Sequence, residues 1–171
     1  MIDHYEMRNM VYVKAEEIVA LAQERGLRLT SAESCTGGLV AAALTDIAGS
    51  SNVFERGFVT YSNDSKIELL GVSPQTLAAQ GAVSAQTARE MALGALVHSR
   101  ADLAVAITGI AGPGGGSAEK PVGLVHFACA RRGGDLVLSE QRFGPLTRAE
   151  IRTLAVLAAL ALLRAGVTGA A

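Results

Sequence analysis

The segment LAVAIT, residues 103–108, is the tightest constraint in the chain: five apolar positions run without alternation before a closing threonine. A strand with one wet face alternates apolar and polar residues, so an unbroken apolar strand has to be covered on both sides. LAVAIT therefore reads as the central strand of a sheet with helices on both faces. A chain of 171 residues is long enough to build one such core and short for two.

The flanking sequence supplies the cover. Val13, Ile18, Leu21 and Ala22 share one helical stripe within residues 13–25, and Gly26 is a natural stop. LRLTSAE (27–33) reads as a strand, and helical spacing resumes over 36–46 through Leu39, Val40, Ala43 and Leu44. GFVTYS (57–62) is aromatic and β-branched, hence a second strand, followed by a short helical segment, NDSKIELLG. Ser73-Pro74 opens another helix, and Ser84 caps a longer one over 85–99. VGLVHFACA (122–130) and DLVLSEQRF (135–143), joined by RRGG, form a hairpin, and Thr147 with Glu150 has the spacing of a capping box that starts a last helix through about Leu163. The order implies an α/β protein: a three-layer α/β/α sandwich with a mixed central sheet, in a single domain over 1–171. Its core is expected at about 14–163, with 1–12 and 165–171 as tails.

Half of the residues are apolar, 18% are charged and the formal net charge is -1, so there is no overall field to attract nucleic acid or an acidic membrane surface. The longest apolar run, Leu154 to Leu163, is well under the roughly 20 residues that cross a bilayer. MIDHYEMRNM lacks the apolar stretch of a signal peptide, and Cys35 and Cys129 are too few for a disulfide framework; a cytoplasmic location is the expectation.

Chemistry concentrates at SAESCTGGL, residues 31–39. Ser34 stands at a strand end, and Thr36, Gly37 and Gly38 follow at a helix start, where backbone N–H groups without intrahelical partners can hold an oxyanion or a phosphate. On this stretch alone, a plain helix cap at Ser34 or Thr36 is the readier reading. A nucleophilic serine needs a base, and none of His4, His98 or His126 is well placed for a Ser-His-Asp relay. Lys66, just past a strand end in YSNDSK, can serve instead if burial lowers its pKa by roughly 3 units, about 4 kcal/mol of bias; by spacing alone it reads as a solvated helix-face lysine. Cys35 is a rival nucleophile, but adjacent residues on a turn point differently, and packing is the role assigned to it.

TGIAGPGGGSAEKPVG (108–123) follows the central strand, where open α/β sheets bind ligands, yet it ends in neither a Walker lysine nor a GxGxxG fingerprint. Arg142, Arg148 and Arg152, around the start of the last helix, could take a phosphate or carboxylate in two hydrogen bonds. There is no HExxH, no CxxC and no tight His/Asp/Glu cluster, so a metal-independent site without a cofactor is expected.

Taken jointly, AESCTGGL (32–39), GSSNVFERGFVTYSNDSK (49–66), GAVS (81–84) and TGIAGPGGGSAEKPVG (108–123) resemble the CinA C-terminal domain family over roughly residues 14–163. Enzymatic members of that family are nicotinamide-nucleotide amidohydrolases. The resemblance implies hydrolysis of the carboxamide of nicotinamide mononucleotide to nicotinate mononucleotide and ammonia, with Ser34 as nucleophile, Lys66 as its activator and Tyr61 assisting or orienting the pair. It implies substrate binding by Thr36, Gly37, Gly38, Thr108, Gly109 and Arg148, although this chain reads GPLTR where many relatives read GDR. It implies the stand-alone amidase rather than a form with an added N-terminal domain, and a homodimer is expected. The alternatives left open are a nucleotide-binding or regulatory module without turnover, and a cysteine hydrolase acting through Cys35.

Overall fold

In the computed structural model, which describes residues 4–169, one five-stranded sheet organises the chain. The strands are β1 (Leu29–Glu33), β2 (Phe54–Val59), β3 (Leu103–Gly109), β4 (Leu124–Arg131) and β5 (Leu136–Arg142), in the spatial order β2-β1-β3-β4-β5. β2, β1 and β3 run parallel, while β4 and β5 are antiparallel, which makes the sheet mixed. LAVAIT falls in β3 at its centre, and every residue from Leu103 to Thr108 is buried.

The helices are α1 (His4–Glu24), α2 (Leu39–Thr45), α3 (Asn63–Leu70), α4 (Pro74–Gln80), α5 (Ala85–Val97) and α6 (Arg148–Thr168). Strand residues alternate between the sheet's two faces, and the chain uses the faces differently. Leu29, Val105, Ile107, Val125 and Phe127 join a large core with Ile18 of α1, Leu44 of α2 and Ile151, Leu160 and Leu163 of α6. The opposite face presents Ala32, Ala104, Ala106, Ala128 and Ala130, and onto this flat surface α5 lays Ala88, Met91, Ala92 and Ala95. Alanine on both partners lets helix and sheet approach closely. Gly94 extends the same logic outward: a Cβ there would stand 1.9 Å from the Leu70 carbonyl oxygen, so only glycine lets the end of α3 rest on α5.

The expected caps at Ser73, Ser84 and Thr147 are in place, and Ser62 caps α3 as well; each accepts from the backbone N–H three residues on, and Thr147 with Glu150 closes a capping box. Boundaries differ at both ends of the chain. Helix α1 begins at His4, so most of the expected tail 1–12 is helical, because Met7 is buried beneath it. Helix α6 runs on to Thr168, carried by buried Val167, so the expected tail 165–171 is largely helix. Residues 1–3 and 170–171 of those tails, and the side chain of His4, lie outside the described part. By length and composition α6 is long and apolar enough to cross a bilayer, contrary to what the ten-residue run suggested. A core helix has the same character, and the Ile151, Ala155, Ala159, Leu160 and Leu163 stripe of α6 is buried against the sheet and α1.

Candidate active site

From β1 the chain turns to α2 on one face of the sheet, and from the neighbouring β2 it turns to α3, α4 and α5 on the other. Adjacent strands whose connections leave to opposite faces open a crevice at their carboxyl ends. Ser34 is the first residue beyond β1, and Lys66 lies in the first turns of α3 beyond β2, so topology alone brings them to one crevice.

Lys66 is among the largest fully buried side chains, 1% exposed. Side chains on a helix lean toward its N-terminus, and this one runs back along α3 to place Nζ 2.8 Å from the Thr60 carbonyl, 3.5 Å from that of Ser62 and 3.1 Å from Ser34 Oγ. Two carbonyls and a hydroxyl surround the amine, and among the described residues no carboxylate pairs with it. Burial therefore pushes its pKa below the ordinary lysine value. The sequence left Lys66 open to a solvated helix-face reading; the structure excludes it.

The turn after Ser34 departs from expectation. Neither Ser34 nor Thr36 caps α2: the N-cap is Gly38, at φ 96°, and it has no side-chain cap bond. Glu33, fully buried, does that work through its carboxylate, which accepts the N–H groups of Gly38 (3.1 Å), Val40 (3.0 Å) and Ala41 (2.9 Å), and the hydroxyl of Ser31 at 3.3 Å. Gly37 N–H closes the turn onto the Ser34 carbonyl at 3.0 Å, and Leu39 N–H bonds to the Thr36 carbonyl at 3.2 Å. The donors expected at Gly37 and Gly38 are thus already occupied. Among the described residues, the Thr36 N–H alone in the segment 34–42 lacks a hydrogen-bond acceptor, the Cys35 N–H facing its own thiol. The Thr36 hydroxyl, also fully buried, has no hydrogen-bond partner.

Ladder bonds continue one residue past β1, with Ser34 N–H donating to the Ile107 carbonyl and Thr60 N–H to that of Glu33. Extending the registers by that residue sets Ser34 between Thr60 and Thr108 on the α5 face. Thr108 in turn pairs with His126, and His126 with Glu140. A row of polar side chains thus crosses all five strands next to the alanine floor. Thr108 Oγ1 donates to the Ala82 carbonyl at 2.7 Å, tying the GAVS loop over the row. Gly109 is packed against Leu124 and Val125, where a Cβ would meet the Val125 side chain at 2.7 Å, so its role is close approach of strands. His126 is buried with Nδ1 unpartnered, and that burial lowers its pKa.

The arginines separate. Arg148 donates to the Gly112 carbonyl at 2.9 Å and to the hydroxyl of Tyr61 at 2.7 Å, bridging the glycine loop to the β2–α3 connection. Tyr61 is 60% exposed, and its phenol meets Arg148 rather than Ser34 or Lys66. Arg152 reaches inward, with Nε 3.2 Å from the Cys35 carbonyl and Nη2 3.0 Å from that of Thr36. Arg142 pairs with Glu140 on exposed β5.

Cys35 is 6% exposed within the core shared with α1, α2 and α6, and burial pushes its thiol up to about 11. A thiol of that kind is a poor nucleophile at neutral pH. Sequence reasoning missed Glu33: the sequence shows an acidic residue shortly ahead of a glycine-rich helix start, but not that it sits in a strand whose five positions are all buried. Among the described residues, no group of three or more His, Cys, Asp or Glu is placed to hold a metal ion.

Comparison with known proteins identifies relatives in sequence and in fold. Residues 12–167 match the family model of the CinA C-terminal domain. The chain is 59% identical over 127 residues to the nicotinamide-nucleotide amidohydrolase PncC of Enterobacter agglomerans, covering 74% of this chain and 77% of that one. It is 55% identical over 129 residues to the PncC of Escherichia coli K12, covering 75% and 78%. A crystal structure of the competence/damage inducible protein CihA from Agrobacterium tumefaciens superposes with a TM-score of 0.90 at 56% identity, over 91% of this chain and 94% of that one.

Proposed function

The chain belongs to the CinA C-terminal domain family, and from that membership and the contact between Ser34 and Lys66 we propose that it hydrolyses the carboxamide of nicotinamide mononucleotide, giving nicotinate mononucleotide and ammonia. The observation that carries the mechanism is the buried amine 3.1 Å from a serine hydroxyl, with no carboxylate among the described residues to hold its charge. Neutral Lys66 takes the proton of Ser34 as Oγ attacks the amide carbon. Collapse of the tetrahedral adduct breaks the C–N bond, and the proton on Lys66 leaves with the nitrogen as ammonia. Water then attacks the acyl-serine ester and gives one proton through Lys66 to the departing Ser34 Oγ, releasing the acid. Amide and water are consumed, and acid and ammonia are formed.

No step in this proposal uses a metal. The oxyanion falls to the unpartnered N–H of Thr36. Arg148, joined to Tyr61 and the Gly112 carbonyl at the crevice mouth, is the residue proposed to take the 5′-phosphate, and Tyr61 orients it rather than the dyad. Thr108, through the Ala82 carbonyl, holds the loop that closes the crevice. Both cysteines are free and buried, which supports a reducing, cytoplasmic setting. Exposed Leu39 and Val59 at the rim support the expected homodimer.

The test is ammonia release by purified protein from nicotinamide mononucleotide, free nicotinamide and glutamine. Turnover of the nucleotide that disappears in a folded Ser34→Ala variant supports the proposal. Binding of the nucleotide without ammonia release identifies a binding module instead.

A further inference from the structure

Nearly every backbone group from Ser34 to Ala42 has a partner, and the partners of two consecutive carbonyls single out Arg152. Two opposite charges grip the turn from its two kinds of backbone group. Glu33 takes N–H groups beyond Gly37, while Arg152 forks onto the consecutive carbonyls of Cys35 and Thr36. A trans peptide unit is planar, with its C=O and N–H pointing in opposite directions. The Cys35 carbonyl and the Thr36 N–H belong to one such unit, so a guanidinium fixed on that carbonyl fixes the Thr36 N–H to point away from it. A charge-assisted bond to the carbonyl also polarises the unit and strengthens its N–H as a donor.

We propose that Arg152 is a positioning residue of the active site: by clamping the Cys35 and Thr36 carbonyls, it aims and strengthens the unpartnered Thr36 N–H that receives the oxyanion formed at Ser34. This rests on the serine mechanism proposed above. It also gives the two arginines of the first turns of α6 different roles. Arg148 stands at the mouth for the substrate, whereas the Nε and Nη2 edge of Arg152 is committed to backbone. The geometry explains why an arginine serves here. A lysine offers a point charge, whereas the planar guanidinium spans two carbonyls in a fixed orientation.

The experiment uses the full chain with Arg152→Gln and Arg152→Lys, and two readouts. The first is the rate at which a small alkyl fluorophosphonate labels Ser34: Oγ displaces fluoride, the P–O bond forms as P–F breaks, and the serine proton passes to Lys66. The phosphoryl oxygen occupies the oxyanion position whatever the natural substrate is. The second is kcat and KM for ammonia release from nicotinamide mononucleotide. In folded Arg152→Gln, labelling and kcat fall together by about 100-fold, the scale of losing one oxyanion donor, while KM stays within about threefold and the pH dependence of labelling, set by Lys66, keeps its midpoint. Arg152→Lys keeps the charge and one bond and loses about tenfold, and it carries the test if Arg152→Gln does not fold. Labelling at the wild-type rate in either folded variant, or a raised KM at unchanged kcat, overturns the proposal. If wild-type protein labels at Ser34 but releases no ammonia from the nucleotide, the substrate assignment fails, and the labelling ratio still decides the role of Arg152.

Discussion

The amine of Lys66 lies 3.1 Å from the hydroxyl of Ser34, across a crevice formed because β1 and β2 send their connections to opposite faces of the sheet. What makes the pair chemically useful is what surrounds the amine. It meets the carbonyls of Thr60 and Ser62 and is otherwise desolvated, so the neutral form is favoured. Substituting Lys66 by Met keeps the volume and removes the base. Turnover is expected to fall at least about 10³-fold, in line with loss of a positioned general base, while circular dichroism shows an unchanged fold.

The same desolvation sets a pH dependence in two observables. The pKa of Lys66 is lower in the folded protein than in the unfolded chain, so between the two values the unfolded chain binds more protons and stability rises with pH. The lysine contributes least below its folded pKa and most above the ordinary value near 10.4. The stability of wild-type protein relative to Lys66→Met is therefore expected to improve as pH rises from neutral toward 10, in denaturant titrations at several pH values. Activity follows the same proton: kcat/KM rises with pH through the lowered pKa. An acid limb at the same midpoint in Lys66→Met, or a falling relative stability, contradicts the assignment.

Glu33 makes three backbone bonds from a fully buried position and holds the start of α2. Glu33→Gln keeps the shape but turns an NH₂ group toward N–H donors. Bonds to charged groups are worth about 1.5–3 kcal/mol each, so a loss of about 3 kcal/mol is expected by chemical denaturation, with lower kcat in the folded fraction.

A purely structural prediction falls on α5. Gly94→Ala drives a methyl group into the Leu70 carbonyl, and backbone cannot rotate aside as a side chain can. A destabilisation of about 2–3 kcal/mol is expected. Because α3 carries Lys66, activity should decline as well, while Gly26→Ala, with nothing within 4 Å of the new Cβ but a positive φ of 64°, loses stability alone.

The layers of the fold were legible in the sequence because each carries a local signal: the unbroken apolar run of β3, the serine and threonine caps, the hairpin of β4 and β5. Helix ends were less so. The outer ends of α1 and α6 are set by tertiary burial of Met7 and Val167, which no cap announces. Within the site, Ser34 and Lys66 stood out through their motif blocks, but their contact is a product of strand order, which spacing does not encode. The roles of Glu33 and Arg152 were hidden for the same reason. Each acts on backbone N–H or carbonyl groups, and one of the two arrives from a helix more than a hundred residues away. Sequence also cannot show that Gly37 and Gly38 spend their N–H groups inside the turn.

The central claim is that Ser34, activated by neutral Lys66, forms a covalent acyl intermediate. Rapid acid quench of the protein during turnover of nicotinamide mononucleotide, followed by peptide mass spectrometry, tests it directly. The predicted result is an acyl adduct on Ser34 that is absent from Lys66→Met; an adduct on Cys35, or undiminished turnover by Ser34→Ala, would contradict it.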